Sequence, residues 1–129
     1  MDFFEQNLKH LRGYDPDLAE RVALQPFPEN VSVIQSKDGF PVPRIAGVLL
    51  HSQYRPIEEG KKAIENYDFD LERNTVVYGL GFGCHIQALL LKCPGKLIVV
   101  EPLMTLFRAF MTSMDIQPFL SRVRFRIGE

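Results

Sequence analysis

The sequence predicts an α/β fold whose C-terminal part opens a Rossmann-like parallel sheet. Three observations carry this expectation. Thr75-Val76-Val77-Tyr78 is a short apolar run followed without a gap by Gly79, Gly81 and Gly83. A second apolar run, Leu97-Ile98-Val99-Val100, ends in an acid, Glu101. The stretches after each run carry apolar residues at helical spacing. Strand, glycine turn, helix, strand and acid in that order make a βαβ unit with a ligand-type loop.

The elements that precede it follow from local signals. Phe3, Phe4, Leu8 and Leu11 recur at helical spacing, with Asp2 placed to cap the start and Gly13 to stop the helix. Asp15-Pro16-Asp17 restarts a short helix through Leu18, Ala19 and Val22, because Asp caps and Pro fits a first turn; Pro26 and Pro28 end it. Both helices are amphipathic and are expected to dock on something later in the chain. Val31–Gln35 alternates apolar and polar residues, Lys37-Asp38-Gly39 is a turn signal, and Phe40, Val42 and Ile45 continue beyond it. This is a small β-hairpin. Pro41 and Pro43 lack an N–H, so its second arm is expected to be an edge or an irregular strand. Val48-Leu49-Leu50 leads to His51-Ser52. A helix follows around Pro56, Glu58 and Glu59, with Ile57, Ala63, Ile64 and Tyr67 on its apolar side. The polar stretch Asp68–Asn74 divides the chain into two parts. Residues 1–73 hold the N-terminal helices, hairpin and linking helix, and residues 74–129 hold a βαβαβ half-domain.

Within that second part, Thr75–Tyr78 has the pattern of a parallel strand buried on both faces. Ile86, Leu89, Leu90 and Leu91 form a helix that ends at Cys93-Pro94-Gly95, and Pro102–Met114 forms a second, with Leu103, Leu106, Phe107, Phe110 and Met114 inward. Val123, Phe125 and Ile127 alternate with Arg122, Arg124 and Arg126, as expected for an outermost strand with one wet face. In the strand order third–second–first, Thr75–Tyr78 lies at an open apolar edge. Either the hairpin covers that edge or two chains associate through it as a homo-oligomer.

Composition narrows the function classes. The 15 Lys and Arg nearly balance the 16 Asp and Glu, so the chain has no electrostatic footprint for nucleic acid. Cys84 and Cys93 have neither metal nor disulfide spacing; they are expected to be small apolar fillers in a reducing, cytoplasmic compartment. Met1–Leu11 has no continuous apolar run, and no stretch approaches the roughly 20 apolar residues of a membrane span.

The glycine loop is the candidate site. Glycine lets the chain turn tightly, and the helix start beyond it offers unpaired N–H groups to a phosphate or nucleoside. The candidate ligand-binding residues are Gly79, Gly81, Phe82, Gly83, His85 and Glu101, with Glu101 placed to accept from ribose hydroxyls. A dinucleotide fingerprint requires its third glycine or alanine where Cys84 stands. The x-G-x-G-x-G form instead resembles the first motif of S-adenosylmethionine-dependent methyltransferases. That resemblance implies S-adenosylmethionine as ligand; a nucleotide or nucleotide-sugar is the other class considered. Against any ligand stands the reading in which the glycines only let the helix pack and Glu101 is a solvated charge. His85 is either a phosphate contact or a surface histidine near a helix start. His51-Ser52 are neighbours in sequence, which does not make a catalytic pair. Glu58, Glu59 and Glu65 have ordinary helix patterning. The Arg122, Arg124 and Arg126 stripe either meets an anionic partner or keeps an edge strand from aggregating. No metal cage and no catalytic residue is identified.

Three segments together resemble one family: Leu50-His51-Ser52-Gln53-Tyr54-Arg55-Pro56, the strand and loop Val76–His85, and Val99-Val100-Glu101-Pro102 with the helix containing Phe107-Arg108. The chain is similar to the N-terminal region of the motility accessory factor family. These are bacterial glycosyltransferase-like proteins implicated in glycosylating flagellin with sialic-acid-like sugars, and archaeal hydroxymethylpterin diphosphokinases carry a related domain. The resemblance implies a transferase domain that follows this region, so the chain is expected to be a fragment, inactive alone, with the catalytic residues beyond Glu129. The alternatives are the cofactor-binding half of a methyltransferase and a purely structural or interaction module.

Overall fold

The computed structural model describes residues 2–49, 56–65, 75–80, 83–92 and 95–128. Helix α1 (Phe4–Tyr14) starts where the Asp2 carboxylate accepts from the Phe4 N–H at 2.8 Å. Gly13 does not stop it. The helix runs on to Tyr14 and ends because Asp15 leaves helical geometry to cap α2 (Pro16–Ala23), accepting from the Leu18 N–H at 3.1 Å.

Strands β1 (Val31–Gln35), β2 (Pro41–Ile45) and β3 (Val48–Leu49) form an antiparallel sheet in the order β1-β2-β3. The turn at Gly39 (φ +84°) joins the first two, as expected. β2 is the regularly paired middle strand, however, and not the edge or irregular arm expected from its prolines. The Ser36 N–H donates to the Phe40 carbonyl, so the even-numbered residues face β1 and Pro41 and Pro43 turn their missing donors to the other flank. There β3 reaches only Arg44 and Ile45, so no ladder bond is lost. Ala46 (φ +50°) and Gly47 (φ +83°) make the tight turn into β3.

Helix α3 (Pro56–Ile64) packs on α4 (Cys84–Lys92), and Lys92 closes its end by donating to the Ile64 and Glu65 carbonyls at 3.0 and 2.6 Å. Tyr67 and Cys93 lie outside the described residues. Strands β4 (Thr75–Tyr78), β5 (Leu97–Glu101) and β6 (Val123–Ile127) form a parallel sheet in the order β4-β5-β6. Helices α5 (Met104–Ser113) and α6 (Gln117–Leu120) join the last two strands. The single helix expected over Pro102–Met114 thus begins at Met104, because Leu103 is held extended, and a short α6 follows it.

One face of this sheet is the core. Leu97, Val99, Val123, Phe125 and Ile127 are buried there, with the Phe125 ring 5.2 Å from Phe107 and 6.3 Å from Phe110 of α5. The register puts Val76, Ile98 and Arg124, then Tyr78, Val100 and Arg126, on the opposite face. That face is open: Val76 is 50% and Tyr78 81% exposed. Burial of β4 on both faces is therefore not found; α4 and α5 do not reach that side. The hairpin does not pair with β4 either, because it belongs to the other sheet. The β6 alternation is as expected, except that Arg122 leaves the stripe and donates to the Leu90 and Gly95 carbonyls at 2.7 and 2.9 Å.

The N-terminal helices dock on α5 as their amphipathicity implies. Asn7, fully buried on the inner stripe of α1, donates to the Met111 and Met114 carbonyls at 2.7 and 2.6 Å. Its side-chain Oδ1 accepts from the Ile116 N–H at 3.0 Å. Arg108 of α5 lies 3.5 Å from the centre of the Phe4 ring and donates to the Gln25 carbonyl at 2.9 Å. Among the described residues no helix is long and apolar enough to cross a membrane. Asn7→Ala strands three backbone groups at the end of α5. We expect it to lower the unfolding free energy by about 2–4 kcal/mol in urea titrations, and an unchanged midpoint would mean that water replaces the amide there.

Candidate functional site

The site is assembled at the carboxyl ends of the parallel strands, where α/β sheets place their ligands. β4 ends at Tyr78, and the Gly79 N–H still donates to the Val100 carbonyl at 2.8 Å. Gly79 then takes φ +92°, a left-handed value that glycine adopts at no steric cost. This swings the next amide, Leu80, back toward β5. Gly83 (φ +82°) closes the loop by donating to the Leu80 carbonyl at 2.9 Å. A Cβ on Gly83 would stand 3.4 Å from the Phe110 ring, so this glycine also lets the start of α4 pack on α5. Gly81 and Phe82 lie outside the described residues.

Glu101 ends β5 and is 4% exposed. One carboxylate oxygen accepts from the Leu80 N–H at 2.9 Å and the other from the Leu103 N–H at 3.0 Å. Its backbone carbonyl accepts from the Gly128 N–H at 2.8 Å. One residue thus ties together the segments that leave all three parallel strands. These are charge-assisted bonds in a buried place, the stronger kind. His85, in the first turn of α4, donates from Nε2 to the Gly79 carbonyl at 3.0 Å. Burial pushes its pKa below the ordinary histidine range, and the carbonyl partly offsets that by favouring the charged ring.

Gly79, Gly83, His85 and Glu101 are therefore brought together, as the sequence suggested, but their polar groups point at one another. The loop amide of Leu80, of the kind a glycine loop offers to a phosphate, is bonded to Glu101 instead. The partners missed by sequence reasoning, Leu80, Leu103 and Gly128, act through backbone groups, which leave no side-chain signal. His51 and Ser52 lie outside the described residues. Glu58 and Glu65 are exposed in the region of α3. A second concavity, a cleft of about 290 Å³, opens at the other end of the sheet between the α1–α2 corner and the start of β6. Tyr14, Asp15, Leu18, Val123 and Phe125 are among its walls.

No family model matches the chain. It is 29% identical over 135 aligned residues to an uncharacterized protein of Treponema pallidum (strain Nichols), an alignment covering 97% of this chain and 46% of that one. Its fold is similar to that of the MAf glycosyltransferase from Magnetospirillum magneticum AMB-1, with a TM-score of 0.74 and 16% identity, over 98% of this chain and 27% of that one. The chain spans less than half of the first protein and about a quarter of the second, and what it shares with the second is the fold.

Proposed function

We propose that this chain is a non-catalytic N-terminal module of a motility-accessory-factor-like protein. It would work in the cytoplasm beside the part of such a protein that glycosylates flagellin. Its fold, similar over nearly its whole length to part of a glycosyltransferase of that name, supports the family. The observation that carries the non-catalytic part is the Glu101 carboxylate, closed on the Leu80 and Leu103 amides. A ribose-binding acid is open to its ligand, whereas this carboxylate is 4% exposed and each of its oxygens already accepts a backbone N–H of the chain. The glycine loop then serves as a brace that fixes three strand ends for a neighbouring unit. The methyltransferase reading requires the buried Glu101 carboxylate to be uncovered so that a ribose hydroxyl can reach the second lone pair of an oxygen.

Titration calorimetry with S-adenosylmethionine, S-adenosylhomocysteine and cytidine nucleotides tests this directly, and we expect no binding heat. Tight S-adenosyl binding that is lost in Glu101→Ala would establish the methyltransferase reading in its place. Glu101→Gln keeps the shape but sets an NH2 group against one of the two amides. We expect it to cost about 1.5–3 kcal/mol of stability with or without these compounds. His85 adds a pH dependence. Its folded-state pKa is depressed, so the stability it contributes is complete above the ordinary value of about 6.5 and is lost as pH falls from there through the lower folded-state pKa. The urea midpoint should fall between about pH 7 and pH 5.5, and fall less in His85→Gln, whose amide can donate to the same carbonyl without titrating. Equal pH slopes in the two proteins would remove His85 from the brace.

A further inference from the structure

The floor of the cleft beside α1 and α2 is the outer edge of β6. Leu97 donates to the Arg122 carbonyl and Gly128 to the Glu101 carbonyl, so the even-numbered residues of β6 turn their backbone groups toward β5. Val123, Phe125 and Ile127 therefore turn theirs outward. Among the described residues, the Ile127 carbonyl is met there by the Arg21 guanidinium at 3.0 Å. The outward N–H and C=O groups of Val123 and Phe125 have no protein partner among them. Yet these two residues are only 6% and 5% exposed, so their polar groups lie at the bottom of a cleft of about 290 Å³. That volume is at the small end of the ligand-site range. Among the described residues no strand pairs with this recessed edge.

The side chains around it divide by face. Val123 and Phe125 point to the helix layer, where Leu11 and Leu18 add an apolar wall. Arg124 and Arg126 point to the opposite face, exposed, with no ion-pair partner among the described residues. We propose that β6 takes an extended polypeptide segment as an added strand, one in which apolar and acidic residues alternate. Its backbone bonds Val123 and Phe125, its apolar side chains enter the cleft beside Leu11 and Leu18, and its carboxylates pair across the strand with Arg124 and Arg126. Arg21 on the Ile127 carbonyl closes one end, so the paired stretch is short. Charge argues against a second copy as the occupant, because β6 against β6 in antiparallel register sets arginines opposite arginines. This inference concerns a different end of the sheet from the glycine loop and does not rest on the proposed function.

The test is a titration of the isotopically labelled chain with a short blocked peptide alternating glutamate and valine, followed by amide spectra and hydrogen exchange. Two further peptides serve as controls: the same residues in two blocks, and an alternating lysine–valine peptide. We expect saturable shifts and slowed exchange centred on the Val123 and Phe125 amides with the alternating acidic peptide. Arg124→Glu combined with Arg126→Glu should weaken its binding by about tenfold and favour the lysine–valine peptide. Both arginines are exposed, and the spectrum of the variant's remaining amides checks that it is folded. No saturable shift, equal binding of the block peptide, or shifts centred on β4 or the glycine loop would overturn the proposal. So would a dimer of the chain alone that protects the Val123 amide.

Discussion

The Glu101 carboxylate is the constraint on which the upper end of the parallel sheet depends. It ends the central strand and accepts the Leu80 amide from one side and the Leu103 amide from the other, while its carbonyl holds Gly128. The left-handed turn at Gly79 follows from this arrangement, because only a sharp reversal after β4 brings the Leu80 amide back over β5. The late start of α5 follows too, since Leu103 must stay extended to donate. A buried carboxylate with two backbone donors is stabilising as a unit, and removing it would leave both donors unsatisfied. In this strand–glycine–helix geometry, which receives nucleotides in other sheets, the Leu80 amide is bonded to the Glu101 carboxylate.

The N-terminal helices are fastened by polar groups set in an otherwise apolar contact. Asn7 occupies the inner stripe of α1 with Phe4, Leu8 and Leu11, and it satisfies the Met111 carbonyl in the last turn of α5, the Met114 carbonyl just beyond it and the Ile116 amide just before α6. Leucine in its place would pack but would strand those groups. Arg108, stacked on Phe4 and bonded to the carbonyl of Gln25, holds the chain after α2 against the same helix. Together they fix Leu11, Leu18 and Arg21 alongside β6. The cleft at that edge exists because the α1–α2 corner is anchored there.

The sequence was most informative where one residue type serves one backbone geometry. Asp15-Pro16 at a helix start, Asp38-Gly39 in a hairpin turn, and Gly79 and Gly83 after Tyr78 all state local constraints and were legible. The alternation of β6 was legible because a strand with one wet face writes its period into the chain. The apolar run Thr75–Tyr78 misled, since its burial depends on what lies across the sheet and not on the strand itself. Pro41 and Pro43 misled for a related reason: whether a missing donor matters depends on which flank it faces and how far the neighbouring strand extends. Ala46 concealed a tight turn usually marked by Asn or Asp. For Glu101 the sequence shows an acid at a strand end, which does not state whether its oxygens face solvent or the amides of Leu80 and Leu103.

The two flanks of the parallel sheet differ in kind. Parallel sheets are ordinarily covered on both faces, yet α4 and α5 leave Val76, Tyr78, Arg124 and Arg126 exposed on one. Along the register row Tyr78, Val100, Arg126 the surface passes from aromatic to aliphatic to basic. Beside β4 the uncovered residues are apolar, and their burial by any neighbour would be driven by area without directional demand. Beside β6 the apolar side chains are already buried, and what remains is a short row of backbone donors and acceptors bordered by arginines. Contact at that edge requires hydrogen-bond registry and opposite charge, which makes it selective where the β4 flank is merely adhesive. The alternation of Val and Phe with Arg produces this difference, placing the arginines where they repel a second copy of the same edge while leaving its backbone available to a complementary strand.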